Sequence, residues 1–83
     1  MYEVEFTNKA EKQLKKLPKD IQERIIAALE RARIRPEQFF ERLVGETAYK
    51  YRVGDYRIIA DIYKEKLIIL VLKMGHRKNI YDI

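Results

Sequence analysis

Apolar positions change period along the chain, and the changes mark the elements. Tyr2, Val4 and Phe6 alternate with Glu3 and Glu5, the pattern of a half-buried strand. Asn8 followed three residues later by Glu11 fits a variant capping box opening a helix. Ala10, Leu14 and Leu17 give that helix its apolar stripe, and Pro18 ends it. A second helix begins near Pro18–Asp20, where proline suits a first turn. Its inner face is Ile21, Ile25, Ala28, Leu29 and Ala32, while Gln22, Glu23, Arg24, Glu30 and Arg31 face water. So short a turn between the two predicts an antiparallel helical hairpin that serves as scaffold.

Arg35-Pro36 stops the second helix. Phe39, Phe40 and Leu43 then recur at helical spacing and predict one short turn on the core before Gly45. From Tyr49 the period becomes two: Tyr49, Tyr51 and Val53 alternate with Lys50 and Arg52. Gly54-Asp55 is a two-residue hairpin signal, with glycine first as a type II′ turn requires. Tyr56 to Tyr63 makes the next strand, Lys64-Glu65 the next tight turn, and the apolar run Leu67 to Leu72 a central strand buried on both faces. The predicted order is β-α-α-β-β-β, an α+β domain with both helices on one face of a mostly antiparallel sheet. Residues 1–83 form one such domain, without internal repeat or linker.

Composition sharpens this picture at two points. The chain contains no cysteine and one histidine, His76, so neither disulfides nor a metal cluster of the usual ligand types is expected, and no cofactor is implied. No apolar run is long enough to span a bilayer, and the chain reads as soluble and cytoplasmic. Charge is uneven. Residues 1–48 carry 10 Lys/Arg against 9 Asp/Glu, whereas residues 49–83 carry 8 against 4, so most of the +5 excess falls on the predicted sheet. Such a surface attracts nucleic acid or an acidic protein.

The Gly54-Asp55 turn sets Arg52 opposite Arg57, and period two puts Lys50 on the same face as both. Like charges facing each other across a hairpin repel, which a purely structural sheet avoids. Three cations on one face fit an anion between them, and arginine forks match phosphate. Directly after the central strand comes Gly75-His76-Arg77-Lys78-Asn79-Ile80-Tyr81. Counting pairs back from Lys64-Glu65 sets Gly75 beside Gly54, so His76, Arg77 and Tyr81 are expected at the same patch. His76 adds a titratable group there. The Tyr81 ring either anchors the C-terminus or stacks on an exposed base.

These residues resemble the RelE family of toxins. Arg42-Leu43-Val44-Gly45 and Tyr49-Lys50-Tyr51-Arg52-Val53-Gly54-Asp55-Tyr56-Arg57-Ile58-Ile59 look like the family's leucine–glycine element and its tyrosine-rich strand running into a Gly-Asp-Tyr-Arg turn. Gly75-His76-Arg77 with Tyr81 looks like its C-terminal signature, and Leu14-Lys15-Lys16-Leu17-Pro18 matches its helical hairpin. The resemblance covers nearly the whole chain. It implies a fold like the microbial RNases, and a toxin that cuts messenger RNA in the ribosomal A site by attack of a ribose 2′-oxygen on the adjacent phosphate. It also implies an acidic RelB-like antitoxin as partner.

Carried over residue by residue, the resemblance gives Arg57 the phosphorane and Arg77 the leaving group. Tyr81 would orient the RNA, and Lys50 would bind phosphate or assist proton transfer. Some relatives carry a lysine, assigned as general base, where this chain has Arg52. An arginine stays protonated, so Arg52 clamps phosphate and the base is Lys50 or His76. Two rival readings share the fold: a ParE-like inhibitor of DNA gyrase without nuclease activity, and a non-enzymatic RNA- or ribosome-binding module.

Overall fold

The computed structural model describes residues 1–45 and 47–80. The chain runs β1 (Glu3–Phe6), α1 (Asn8–Lys15), α2 (Lys19–Ala32), a 3-10 turn (Pro36–Gln38), β2 (Glu41–Arg42), β3 (Tyr49–Val53), β4 (Tyr56–Tyr63) and β5 (Ile68–His76). The five strands form one sheet in the order β1-β5-β4-β3-β2. All neighbours are antiparallel except β1 and β5. The predicted α+β architecture is therefore present. No helix among the described residues is long and apolar enough to cross a membrane.

Both helices lie on one face of the sheet. Ile25, Ala28, Leu29 and Ala32 of α2 and Ala10 of α1 are buried with Tyr51, Ile58, Ala60, Ile69, Val71 and Met74 from the strands. Complete burial of an aliphatic side chain of this size contributes about 1.5–3 kcal/mol, so this layer dominates the fold. The buried Tyr51 hydroxyl is satisfied within this layer: its Oη donates to the Ala28 carbonyl at 3.3 Å.

Local readings shift at four places. The cap of α1 is Thr7, not Asn8; its hydroxyl accepts from Ala10 N–H at 3.1 Å and donates to the Leu72 carbonyl at 2.8 Å. The short turn expected from Phe39, Phe40 and Leu43 lies earlier in the chain and excludes Leu43. Proline at the first position makes a 3-10 turn over Pro36–Gln38 that Phe39 and Phe40 close, their N–H groups donating to the Pro36 carbonyl at 3.0 and 2.8 Å while their rings pack on Tyr51 at centroid distances of 5.7 and 5.0 Å. That leaves Glu41 and Arg42 free to pair with Lys50 and Tyr49 as the short strand β2. The Lys64-Glu65 turn is a four-residue loop, since Tyr63 pairs with Ile68, and Leu67 adopts a positive φ of 56°. Finally, β5 carries a bulge: Ala60 pairs with Val71 but Ile59 pairs with Lys73, leaving Leu72 as the extra residue.

β5 is central, with β1 on one side and β4 on the other, but only its helix-side residues are fully buried. Its other face meets a small second cluster of Ala48, Ile59 and Ile80, edged by Leu43 and Leu72. Beyond the end of β1, α1 takes over the free edge of β5. Gln13 Oε1 accepts from Met74 N–H at 2.8 Å, next to the Thr7 bond to Leu72.

Candidate functional site

The β3–β4 hairpin forms as its turn residues dictate. Gly54 sits at φ 59° and Asp55 is not left-handed, the combination of a type II′ turn. Val53 pairs with Tyr56 and Arg52 with Arg57. Side chains directly opposite in such a pair stand roughly 5 Å apart at Cβ, so two guanidinium groups are anchored side by side on the open, helix-free face. Lys50, two residues before Arg52, shares that face and lies opposite Ile59.

The bulge adds a cation that periodicity hides. Pairing of Lys73 with Ile59 puts it on the open face, in one row with Lys50 across β4. The next row is Arg52, Arg57 and Gly75. Four cations therefore surround the small apolar cluster of Ile59 and Ile80, and Gly75 leaves room beside them: a Cβ there would meet Ile80 Cδ1 at 3.7 Å. The signal for Lys73 was available in the sequence. Strict alternation through the apolar run would bury this lysine unpaired under the helices, which charge forbids.

Of the carboxylates near this face, Glu41 stands opposite Lys50 in the β2–β3 pairing, and Asp61 and Asp55 are engaged by Tyr63 and Arg77. Tyr63 Oη donates to Asp61 Oδ2 at 3.3 Å, and the Asp61 charge raises the exposed Tyr63 phenol above its ordinary pKa. Asp55 lies 3.9 Å from Arg77 Nε, and the Asp55 carbonyl accepts Arg77 N–H at 2.7 Å. Arg57 Nη1 donates to the carbonyls of Gly54 and Tyr56, each at 3.0 Å, which folds its guanidinium over the turn.

The predicted residues thus divide. Lys50, Arg52 and Arg57 come together on the open face, and Arg77 reaches the same end of the sheet through Asp55. His76 does not join them. Gly75 lies across from Arg57, not beside Gly54, because the four-residue loop moves the register by two and the bulge by one more. A one-residue slip exchanges the faces of a strand. His76 consequently pairs with Tyr56 on the helix side, its ring edge-on to the tyrosine at 5.5 Å, with Nδ1 accepting Lys78 N–H at 3.2 Å. Tyr81 lies outside the described residues.

Comparison with known proteins adds the family. Residues 4–81 match the model of the ParE toxin of the type II toxin–antitoxin system parDE. No curated protein matches the chain. Among solved structures, the RelBE2 toxin–antitoxin complex from Mycobacterium tuberculosis is similar at 29% identity and a TM-score of 0.84, over 92% of this chain and 98% of that one. The archaeal RelE–RelB complex from Pyrococcus horikoshii is similar at 27% identity and 0.76, over 94% and 97%. The intact E. coli RelBE complex is similar at 25% and 0.80, over 92% and 96%. With a family match over almost its full length and a RelE-like arrangement of helices and sheet, the chain belongs to the RelE/ParE family of type II toxins.

Proposed function

We propose that this toxin is an endoribonuclease that cuts messenger RNA in the ribosomal A site, with Lys50 as the general base. The observation that carries the reading is the row of Arg52 against Arg57, with Lys50 and Lys73 on the same open face. A sheet needing only stability has no reason to align these charges. A phosphodiester backbone crossing the face would meet forks from both strands at once.

In the reaction, Lys50 in its neutral form takes the ribose 2′ proton, and the 2′-oxygen bonds to the adjacent phosphorus. Arg52 and Arg57 hold the dianionic phosphorane. The bond from phosphorus to the 5′-oxygen then breaks, giving a 2′,3′-cyclic phosphate and a 5′-hydroxyl once that oxygen is protonated. Arg77 stabilises the departing oxygen. Its 3.9 Å contact with Asp55 is long enough for a phosphate to compete with. Tyr81 takes the role of base-stacking side chain that the family likeness implies. His76 is less suited to act as base, because it pairs with Tyr56 on the other side of the sheet.

The natural partner in this reading is an acidic antitoxin in the same cytoplasm. RelB accompanies RelE in similar structures, and a cationic face invites neutralisation. A second reading, inhibition of DNA gyrase without RNA cleavage, draws on the ParE description of the matching family. Primer extension on a defined message bound to purified ribosomes, with chelator present, separates them. New cuts at A-site codons that vanish in Arg57→Ala support the nuclease. An uncut message from folded protein rejects it and makes DNA supercoiling the next assay.

A further inference from the structure

Beside the hairpin, on the flank of the sheet, α2 and β3 enclose an open groove of about 400 Å³. Its helix wall is the stripe Arg24, Ala27, Ala28, Arg31, one face of α2 at helical spacing. Its strand wall includes Arg52 and Gly54. The two alanines keep the floor low and the arginines rise at either end. β2 pairs only with Tyr49 and Lys50, so Arg52 and Val53 form the sheet edge here.

Arg24, Arg31 and Arg52 thus line one groove, the first two from α2 and Arg52 at the sheet edge between the groove and the open face. Among the described residues the ion pairs are Lys15–Glu11, Arg33–Glu30 and Arg77–Asp55, and none involves Arg24, Arg31 or Arg52. Arg24 reaches across from the helix to the turn: a Cβ on Gly54 would stand 3.1 Å from Arg24 Nη2. Arg57 Nη1 bonds the carbonyl of the same glycine at 3.0 Å. Arg24 and Arg57 therefore both approach one turn residue, and Arg52 belongs both to the groove and to the cationic row. The groove is a continuation of the open-face site around the sheet edge.

We infer that this groove is a second anion site, which holds the backbone of the single-stranded RNA running on from the phosphate that is cut. The inference rests on the nuclease reading and extends it to substrate outside the scissile position. Arg24 and Arg31 are seven residues apart, roughly 10 Å along the helix axis, which exceeds one phosphate group, so they contact separate phosphates. Arginine forks suit phosphate oxygens, and the shallow Ala27–Ala28 floor offers little apolar surface to an amphipathic helix.

The test is binding of a fluorescent 2′-O-methylated oligouridylate of eight residues, which lacks the attacking hydroxyl and stays intact. Arg24→Gln/Arg31→Gln is compared with Lys12→Gln/Lys16→Gln, which removes the same charge from exposed positions on and just after α1. The groove variant should bind about tenfold more weakly, and its slope of log affinity on log salt should fall by about 1.4, the value for two single-strand phosphate contacts. Circular dichroism confirms that both variants are folded. Equal affinities and slopes in the two variants overturn the inference. So does selective loss of binding to a polyglutamate peptide with RNA binding retained, which assigns the groove to an acidic protein. A wild type that binds no RNA overturns both this inference and the nuclease reading. Groove-dependent binding without cleavage on ribosomes rejects the nuclease alone and leaves the groove an RNA site.

Discussion

Ile58 and Ile59 are neighbours in β4, both essentially without solvent exposure, yet they belong to different regions of the molecule. Ile58 points into the helix-covered face, among twelve buried residues of the main core among the described residues. Ile59 points into the open face, where among the described residues only Ala48 and Ile80 are buried with it. The first region is held by apolar area. The second is a thin apolar island among Lys50, Arg52, Arg57 and Lys73, and its own packing cannot offset their mutual repulsion. The larger core stabilises the sheet strongly enough to carry an unfavourable charge arrangement on its back. Stability and the proposed activity therefore fall on opposite faces, which substitutions can separate.

The largest expected effect is on stability. Ile58→Ala should cost about 4–5 kcal/mol, and Ile59→Ala, whose small cluster can collapse into the space, about 2 kcal/mol. For a domain of this size the difference is on the order of 10 °C in melting temperature. Calorimetry that ranks the two in the reverse order breaks the comparison. Next, Lys50→Ala and Arg57→Ala should each slow cleavage of ribosome-bound message by about 10²–10³-fold with melting unchanged. His76→Ala, on the other face, should change it less than about threefold. A large His76 effect would return the base assignment to the histidine.

Lys73→Met keeps the stem and removes the charge. We expect cleavage to fall about tenfold, the worth of one charge-assisted hydrogen bond, at constant stability. Thr7→Ala should cost about 1 kcal/mol for the lost cap, measured by urea unfolding, and should also lower activity because its hydroxyl holds the Leu72 carbonyl at the bulge. The smallest effect is electrostatic. In Asp61→Asn the Tyr63 phenol should ionise at lower pH than in the wild type, because removing the adjacent carboxylate charge relieves the tyrosinate. Ultraviolet titration measures this directly, and an unmoved Tyr63 would show that Asp61 does not face it in solution.

Much of this division was legible in the sequence, and its gaps have physical causes. The β3–β4 hairpin and the Arg52–Arg57 pairing were readable because Gly54-Asp55 admits few turn geometries. The helical hairpin followed from its apolar stripes. The end of β5 was not readable. Leu67 takes a left-handed conformation rarely adopted by leucine, which lengthens the preceding loop, and Leu72 bulges with no glycine to mark it. Both depend on pairing with distant strands, which a local period does not encode. The misplacement of His76 and the omission of Lys73 are one error, produced by that single extra residue. β2 escaped notice because it is two residues long and follows directly on the turn that Phe39 and Phe40 close, whose helical spacing masks it.

The parallel pairing of β1 with β5 has a consequence for the order in which the chain is made. The first strand, Glu3–Phe6, finds its only sheet partner in Ile68–Val71, and Gln13 waits for Met74. Neither contact can form until β5 has been synthesised, and contacts so distant in sequence are slow to form. Gly75 and Arg77 emerge later still. A growing chain therefore lacks the complete cationic face until β5 has been made and paired with β4.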